Sequence, residues 1–212
     1  SDFEKYKKKE IKLKKRKIKL LKEANYYTEE IRRVIKNNYG FDKLYAEGLS
    51  IKSALDVDYQ LHALSALRSG IESYDKRHGW RGPILNTKQI KNWQEKLKEK
   101  KIDSSLGWKF VEIINIDESG LTFKTVNKKE QGKIKISNLK WAINKTIHDS
   151  FEINDIIFVN KNLKKEWELK QYPKVNGAIV AIDPYSGKVK ALVGGFSFES
   201  SEFNRATQAK RQ

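Results

Sequence analysis

The sequence predicts an α+β fold, and three observations carry that prediction. Apolar residues recur at helical spacing through the first 75 positions. Residues 108–171 break into five short runs of strand type, and residues 175–195 place two apolar runs around an Asp-Pro-Tyr-Ser-Gly turn. Three units follow: a helical linker region with one strand over 1–83, a small five-stranded β-barrel over 84–172, and a terminal β-hairpin with its polar tail over 173–212.

Taken in order, "SDFEKYKKKEIKLKKRKIKLLKEA" reads as a helix, because Phe3, Tyr6, Leu13, Leu20, Leu21 and Ala24 fall on one arc. Glu10 and Lys17 interrupt that stripe. Three readings stay open: a solvated helix docked on its neighbours, a basic helix on an anionic membrane, and a nucleic-acid arm. A second helix follows, with Glu29 and Glu30 suited to its positive end, Ile31, Val34 and Ile35 as its buried face, and Gly40 ending it after Tyr39. In "GLSIKSALD" the alternation of Leu49, Ile51, Ser53 and Leu55 predicts a strand. Asp56 or Asp58 caps the next helix, whose buried positions are Leu61, Leu64, Leu67, Ile71 and Tyr74. "YDKRHGWRGP" is a connection, punctuated by Gly79, Gly82 and Pro83.

A short amphipathic helix around Lys88–Lys100 leads into the strands "WKFVEIINI", "LTFKTV", "KIKIS", "DIIFV" and "EWELKQ", with one helical or irregular connection at Asn138–Ile147. Short strands at this density suit a small closed barrel of the OB type, since closure leaves no exposed edge. The final runs differ. Both faces of Ala178–Ile182 are apolar, which predicts burial on both sides of a sheet.

Composition narrows the function. The 212 residues carry a net charge of +17, from 44 Lys plus Arg against 27 Asp plus Glu. Such a balance attracts acidic partners. Residues 1–24 alone hold eleven bases and four acids, and Lys outnumbers Arg 36 to 8, whereas phosphate and guanine readout favours the Arg fork. Nucleic acid is therefore an unfavoured partner. No apolar run approaches the roughly 20 residues needed to cross a bilayer. Cysteine is absent, which removes disulfides and thiolate metal sites. The chain also lacks Met and any signal-type opening, so it reads as a piece of something longer.

Catalytic constellations are missing. His62, His78 and His148 show no metal-ligand spacing, and Gly194-Gly195 lacks the rest of a phosphate loop. Ser73/Lys76 and Ser137/Lys140 fit the S-x-x-K nucleophile pattern, but with 15 Ser and 36 Lys in 212 residues two or three such pairs occur by chance. The companion elements S-x-N and K-T-G are nowhere in the chain. No catalytic, cofactor or metal residue is assigned. Trp93, Trp108, Trp141 and Trp167 would be stacking platforms in a free-standing single-strand binder, or fill the barrel's core and seams.

Two stretches carry a resemblance. Residues 24–83, with "EGLSIKSALD" and "SYDKRHGWRGP", and residues 166–212, with "NGAIVAIDPYSGKVKALVGGFSFESSEFNRATQAKRQ", resemble class A penicillin-binding proteins of the 1a type. Ser53-Ala54 stands where the family's strand carries Thr-Thr. In that family the final motif runs directly into P-G-S-x-F-K-P, so the resemblance implies that the acylated serine lies just past Gln212. It implies a parent bifunctional peptidoglycan synthase of the bacterial inner membrane, facing the periplasm. Residues 173–212 would then be the first strands of a truncated transpeptidase domain. The remainder would be linker and OB-like domain, meeting the parent's other domains, periplasmic activator proteins, glycan strands or anionic lipid, and needing no cofactor.

Overall fold

The computed structural model describes residues 20–100, 102–127 and 129–210. Most of the predicted opening helix lies outside these. Within its described end, Leu20 is exposed, Lys22–Ala24 form a 3-10 turn, and Ala24 is buried.

Helix α1 (Asn25–Tyr45) begins earlier than the sequence suggests. Glu29 and Glu30 therefore fall in its second turn and pair with arginines instead of the helix end: Arg32 Nε to Glu29 at 2.7 Å, Arg33 to Glu30 at 3.5 Å. Gly40 does break the helix, at φ 86°, but the chain resumes helically to Tyr45. The buried face is Tyr26 and Tyr27 with partly buried Ile31, while Val34 is exposed. No strand forms at Leu49–Leu55. The nearest ladder-type bond falls just past the segment, Asp56 N–H to the Lys190 carbonyl at 2.9 Å, so the alternation has no partner strand to match.

Helix α2 (Val57–Arg77) is capped by Asp56, whose side chain accepts from the Asp58 and Tyr59 N–H groups. It buries Gln60, Ala63, Leu64, Leu67, Ile71 and Asp75. Leu61 and Tyr74, expected inside, are exposed because polar Gln60 and Asp75 occupy the buried face beside them.

The barrel region is a six-stranded antiparallel sheet comprising β1 (Leu85–Asn86), β2 (Lys109–Asp117), β3 (Gly120–Thr125), β4 (Gln131–Lys135), β5 (Asp155–Lys161) and β6 (Trp167–Lys170). All five expected strands form, joined by the unexpected two-residue β1. The order is β1-β5-β2-β3-β4, and β6 also pairs with β5. The edge of β5 facing away from β2 is thus shared end to end: Leu85 lies opposite Ile156 and Lys170 opposite Phe158. The free edges of β4 and β6 meet through side chains, with Lys135 paired to Glu166 at 2.6 Å and Asn138 donating to the Trp167 carbonyl at 3.1 Å.

Val111, Ile113, Leu121, Phe123, Ile134, Ile157, Val159 and Leu169 fill the barrel interior. β5 is buried on both faces, since Ile156 points outward into a small cluster with Leu85 of β1 and Leu97 of helix α3 (Trp93–Glu99). The connection at 136–149 is three short 3-10 turns.

The hairpin β7 (Ile179–Ile182) and β8 (Val189–Val193) turns at Asp183, whose carboxylate accepts from Tyr185 N–H and Ser186. Burial on both faces is not found. Ile179, Ala181 and Leu192 join a core with Leu64, Leu67 and Ile71 of α2, whereas Val180 and Ile182 are exposed. β8 is buried on both faces at Ala191–Val193, with Tyr27, Ile31 and Val34 of α1 beside Val189 and Leu192, so the open surface is confined to Val180 and Ile182 of β7.

Candidate functional site: an interdomain clasp and an aromatic cleft

The barrel joins the rest of the chain at two places, residues 79–84 and 170–175, and one carboxylate ties both to α2. Asp75, 4% exposed, accepts from Arg81 twice, Nη1 to Oδ1 at 3.0 Å and Nη2 to Oδ2 at 2.8 Å. On the outgoing segment it accepts from Gln171 Nε2 at 2.9 Å and Lys174 N–H at 3.1 Å. Arg81 also donates to the Tyr172 carbonyl at 2.7 Å, and its backbone N–H donates to Gln171 Oε1 at 2.9 Å. Burial pushes the Asp75 carboxyl up, but the hydrogen bonds from Arg81, Gln171 and Lys174 and the Arg81 charge outweigh it, leaving the group below its ordinary value.

Other polar anchors fix the helical body around this clasp. Gln60, fully buried, donates to the carbonyls of Glu23 (2.9 Å) and Leu192 (3.1 Å) and accepts from Leu192 N–H (2.9 Å), pinning α2 to β8. Arg68 reaches Asp103 at 3.2 Å and the Phe196 carbonyl at 2.9 Å, which docks the segment before β2 onto the same helix. Tyr26 donates to the carbonyl of Ser201 at 2.6 Å, and burial pushes its phenol up to about 12.

Beside the clasp, between residues 79–90 and 141–155, opens a cleft of about 790 Å³. Trp80 and Trp141 stand edge to face, 5.8 Å apart at 83°. Trp80 is held by its N–H to the Ser150 carbonyl at 3.3 Å and by stacking on Phe151. In the floor, Asn86 donates to Asp155 at 2.8 Å and to the Ile153 carbonyl at 3.3 Å, and Asp155 accepts from Glu152 N–H at 2.8 Å. Burial raises the Asp155 carboxyl, and these hydrogen bonds only partly offset it. A smaller cleft of about 490 Å³ lies on the other side of Trp80–Pro83.

The residues weighed in the sequence do not assemble into a reactive centre. Ser73 is exposed, and Lys76 lays its ammonium 5.5 Å from the Trp141 ring centre. Ser137 and Lys140 occupy separate 3-10 turns, and neither serine is hydrogen bonded to its lysine. His62 and His78 bond carbonyls of their own helix, at Asp58 and Tyr74. Among the described residues no cluster of His, Asp and Glu could hold a metal ion. Gly194 and Gly195 serve close packing: a Cβ on Gly194 would meet Asn204, and one on Gly195 would meet the Tyr26 hydroxyl. Trp108 is not in the barrel; it joins the core shared by α2 and β8. Trp93 packs on the outer cluster of β5, while Trp141 and Trp167 border the barrel core. A row of exposed stacking platforms is not formed, and the nucleic-acid reading loses its support. Gln212 lies outside the described residues. The sequence reading missed Asp75, Arg81 and Gln171 as a unit, although the charged Asp75-x5-Arg81 pair astride a Gly-rich connection was a visible signal.

The fold and its clasp define an OB-like β-domain set into a helix-and-hairpin body, and residues 80–175 match the family described as penicillin-binding protein OB-like domain. Penicillin-binding protein 1A of Rickettsia typhi is 35% identical over 193 residues, covering 89% of this chain and 24% of that protein. The protein of that name from Pseudomonas aeruginosa is 31% identical over 202 residues, with the same shares covered. The crystal structure of penicillin-binding protein 1A from Haemophilus influenzae superposes with a TM-score of 0.74 at 27% identity, over 91% of this chain and 29% of that one. Over most of its length the chain is similar to proteins named penicillin-binding protein 1A, and it spans about a quarter of the length of the curated relatives it matches. Among the described residues no helix is long and apolar enough to cross a membrane.

Proposed function

We propose that this chain is the noncatalytic linking and regulatory segment of a bifunctional peptidoglycan synthase, which polymerises glycan and cross-links stem peptides at the periplasmic side of the bacterial inner membrane. The observation that carries this reading is the clasp: Asp75 ties the incoming Arg81 and the outgoing Gln171 and Lys174 to one helix. A domain inserted with both ends fastened at one point transmits its orientation to the body beneath it, which is what a scaffold between two active modules requires. Residues 1–83 serve as linker, 84–172 as the inserted domain, and 173–212 as the first strands of the transpeptidase, with its nucleophile beyond Gln212. The parent's other domains, periplasmic activator proteins, glycan strands and anionic lipid are the partners this role calls for.

Two experiments test the reading. Fluorescent penicillin should leave this chain unlabelled, and covalent labelling would overturn the noncatalytic assignment. In the full-length protein, removal of residues 84–172 should alter polymerisation, cross-linking or partner binding. Unchanged values of all three would refute the regulatory role.

A further inference from the structure

We propose that Glu30 and Arg33 of α1 are positioning residues: they hold the turn at 203–208 and so aim the chain toward the nucleophile that the transpeptidase reading above, on which this inference rests, places past Gln212. The holding surface is one face of one helix. Tyr26, Glu30 and Arg33 stand at i, i+4 and i+7, which brings them into line along α1. The 197–208 segment crosses this line in matching order. The Tyr26 hydroxyl lies 3.1 Å from the Ser197 carbonyl oxygen and donates to that of Ser201 at 2.6 Å. One turn further on, Glu30 Oε2 accepts from Asn204 Nδ2 at 3.2 Å and from Thr207 Oγ1 at 2.7 Å. Another turn on, Arg33 Nη2 donates to Gln208 Oε1 at 2.9 Å. Arg33 Nη1 is also 3.5 Å from Glu30 Oε2, so the two side chains act as one clamp.

The turn is stiff enough to transmit this hold. Asn204, 2% exposed, accepts from Ala206 N–H through its side chain at 3.1 Å and from Gln208 N–H through its carbonyl at 2.8 Å. Arg205 N–H donates to the Gly194 carbonyl at 3.0 Å, which fastens the near half of the turn to the end of β8. The far half is fastened differently. Thr207 and Gln208 are exposed, and the side-chain bonds that tie them to another element go to Glu30 and Arg33. Exposed contacts of this kind add little to stability. Their effect is geometric instead, because Gln208 stands four residues before Gln212, and a misplacement of about 1 Å at a reacting group costs up to about 100-fold in rate. Since α1 carries the whole line of contacts, any tilt of this helix reaches the turn through the same two side chains.

The experiment follows acylation of the full-length protein by fluorescent penicillin over a range of concentrations, which separates the noncovalent dissociation constant from the acylation rate constant and gives the labelled fraction at completion. Glu30→Ala should slow acylation about 5- to 50-fold and Thr207→Val about 2- to 10-fold. The dissociation constant should stay within about 2-fold of wild type, with labelling still going to completion. Glu30→Gln, which keeps an acceptor for both donors, should recover most of the rate. The double variant Glu30→Ala/Thr207→Val should be no slower than Glu30→Ala alone, because both changes remove one bond. Glu30→Ala also strands the buried Asn204 amide, so the exposed change Thr207→Val decides the matter if that variant folds poorly. A merely structural role lowers the completed fraction or the melting temperature and leaves the rate constant of the remaining molecules unchanged, and that result overturns the proposal. A wild type that takes up no penicillin overturns the transpeptidase reading and this inference with it. Normal labelling of the wild type with unslowed variants overturns this inference alone.

Discussion

Asp75 and Arg81 face each other in a two-point ion pair, at 2.8 and 3.0 Å, across the point where α2 ends and the inserted domain begins. The carboxylate side chain is 5% exposed and the guanidinium side chain 24%, so the pair is shielded on one side and open on the other. Because Gln171 and Lys174 bind the same two oxygens, the pair fastens the way out of the domain as well as the way in.

Asp75→Asn should destabilise the chain by about 3 kcal/mol, since it leaves a half-buried guanidinium unpaired and presents a donor where only acceptors fit. Arg81→Ala should cost a comparable amount. The double variant should cost less than the sum, with a coupling of about 1–3 kcal/mol in denaturant unfolding. Strict additivity would show that the two residues act independently.

The same carboxylate predicts an acid limit. Its folded value lies below the ordinary 3.8, so its contribution is present above that value and drains away as pH falls through the lower folded one. Asp75→Asn should flatten the fall in stability below pH about 4. An unchanged acid limb would assign the loss to other carboxylates.

Gln60→Leu keeps the side chain's bulk but strands the Leu192 N–H and two carbonyls in a dry core. A loss of about 3 kcal/mol is expected. Amide exchange at Leu192 should accelerate more than exchange at Ile157 inside the barrel; equal acceleration would mean that Gln60 does not pin β8 specifically.

One substitution should have opposite signs at two glycines. Gly70 lies exposed in α2 with open space around its Cβ position, so Gly70→Ala should stabilise by about 0.5–1 kcal/mol through helix propensity. Gly194→Ala drives a methyl into Asn204, with the Asn204 Cα at 2.8 Å, and should cost about 1–3 kcal/mol. Thermal unfolding of both variants checks the pair, and a neutral Gly194→Ala would show that the 204–208 segment can yield.

Local physics made much of this molecule legible in advance. Alternation in "KFVEIINI" and "LTFKT" fixed which side chains enter the barrel, Asp56 announced the start of α2, and Gly40 its break in α1, because each depends on neighbours a few residues away. Partners distant in sequence decided the rest. Leu49–Leu55 alternates as a strand does but meets no ladder, and Val180 and Ile182 are apolar yet exposed because α1 lies beside Val189 and Leu192 of β8 on that face and leaves β7 open. Trp108 leaves its own barrel for the core of α2, where Phe196 and Tyr172 supply its contacts. The clasp and the cleft belong to this second kind. Apart from the local Asp75–Arg81 pair, their partners lie from 69 to 99 positions apart, and hydrogen-bond geometry and desolvation at such range are settled only when the chain has folded back on itself.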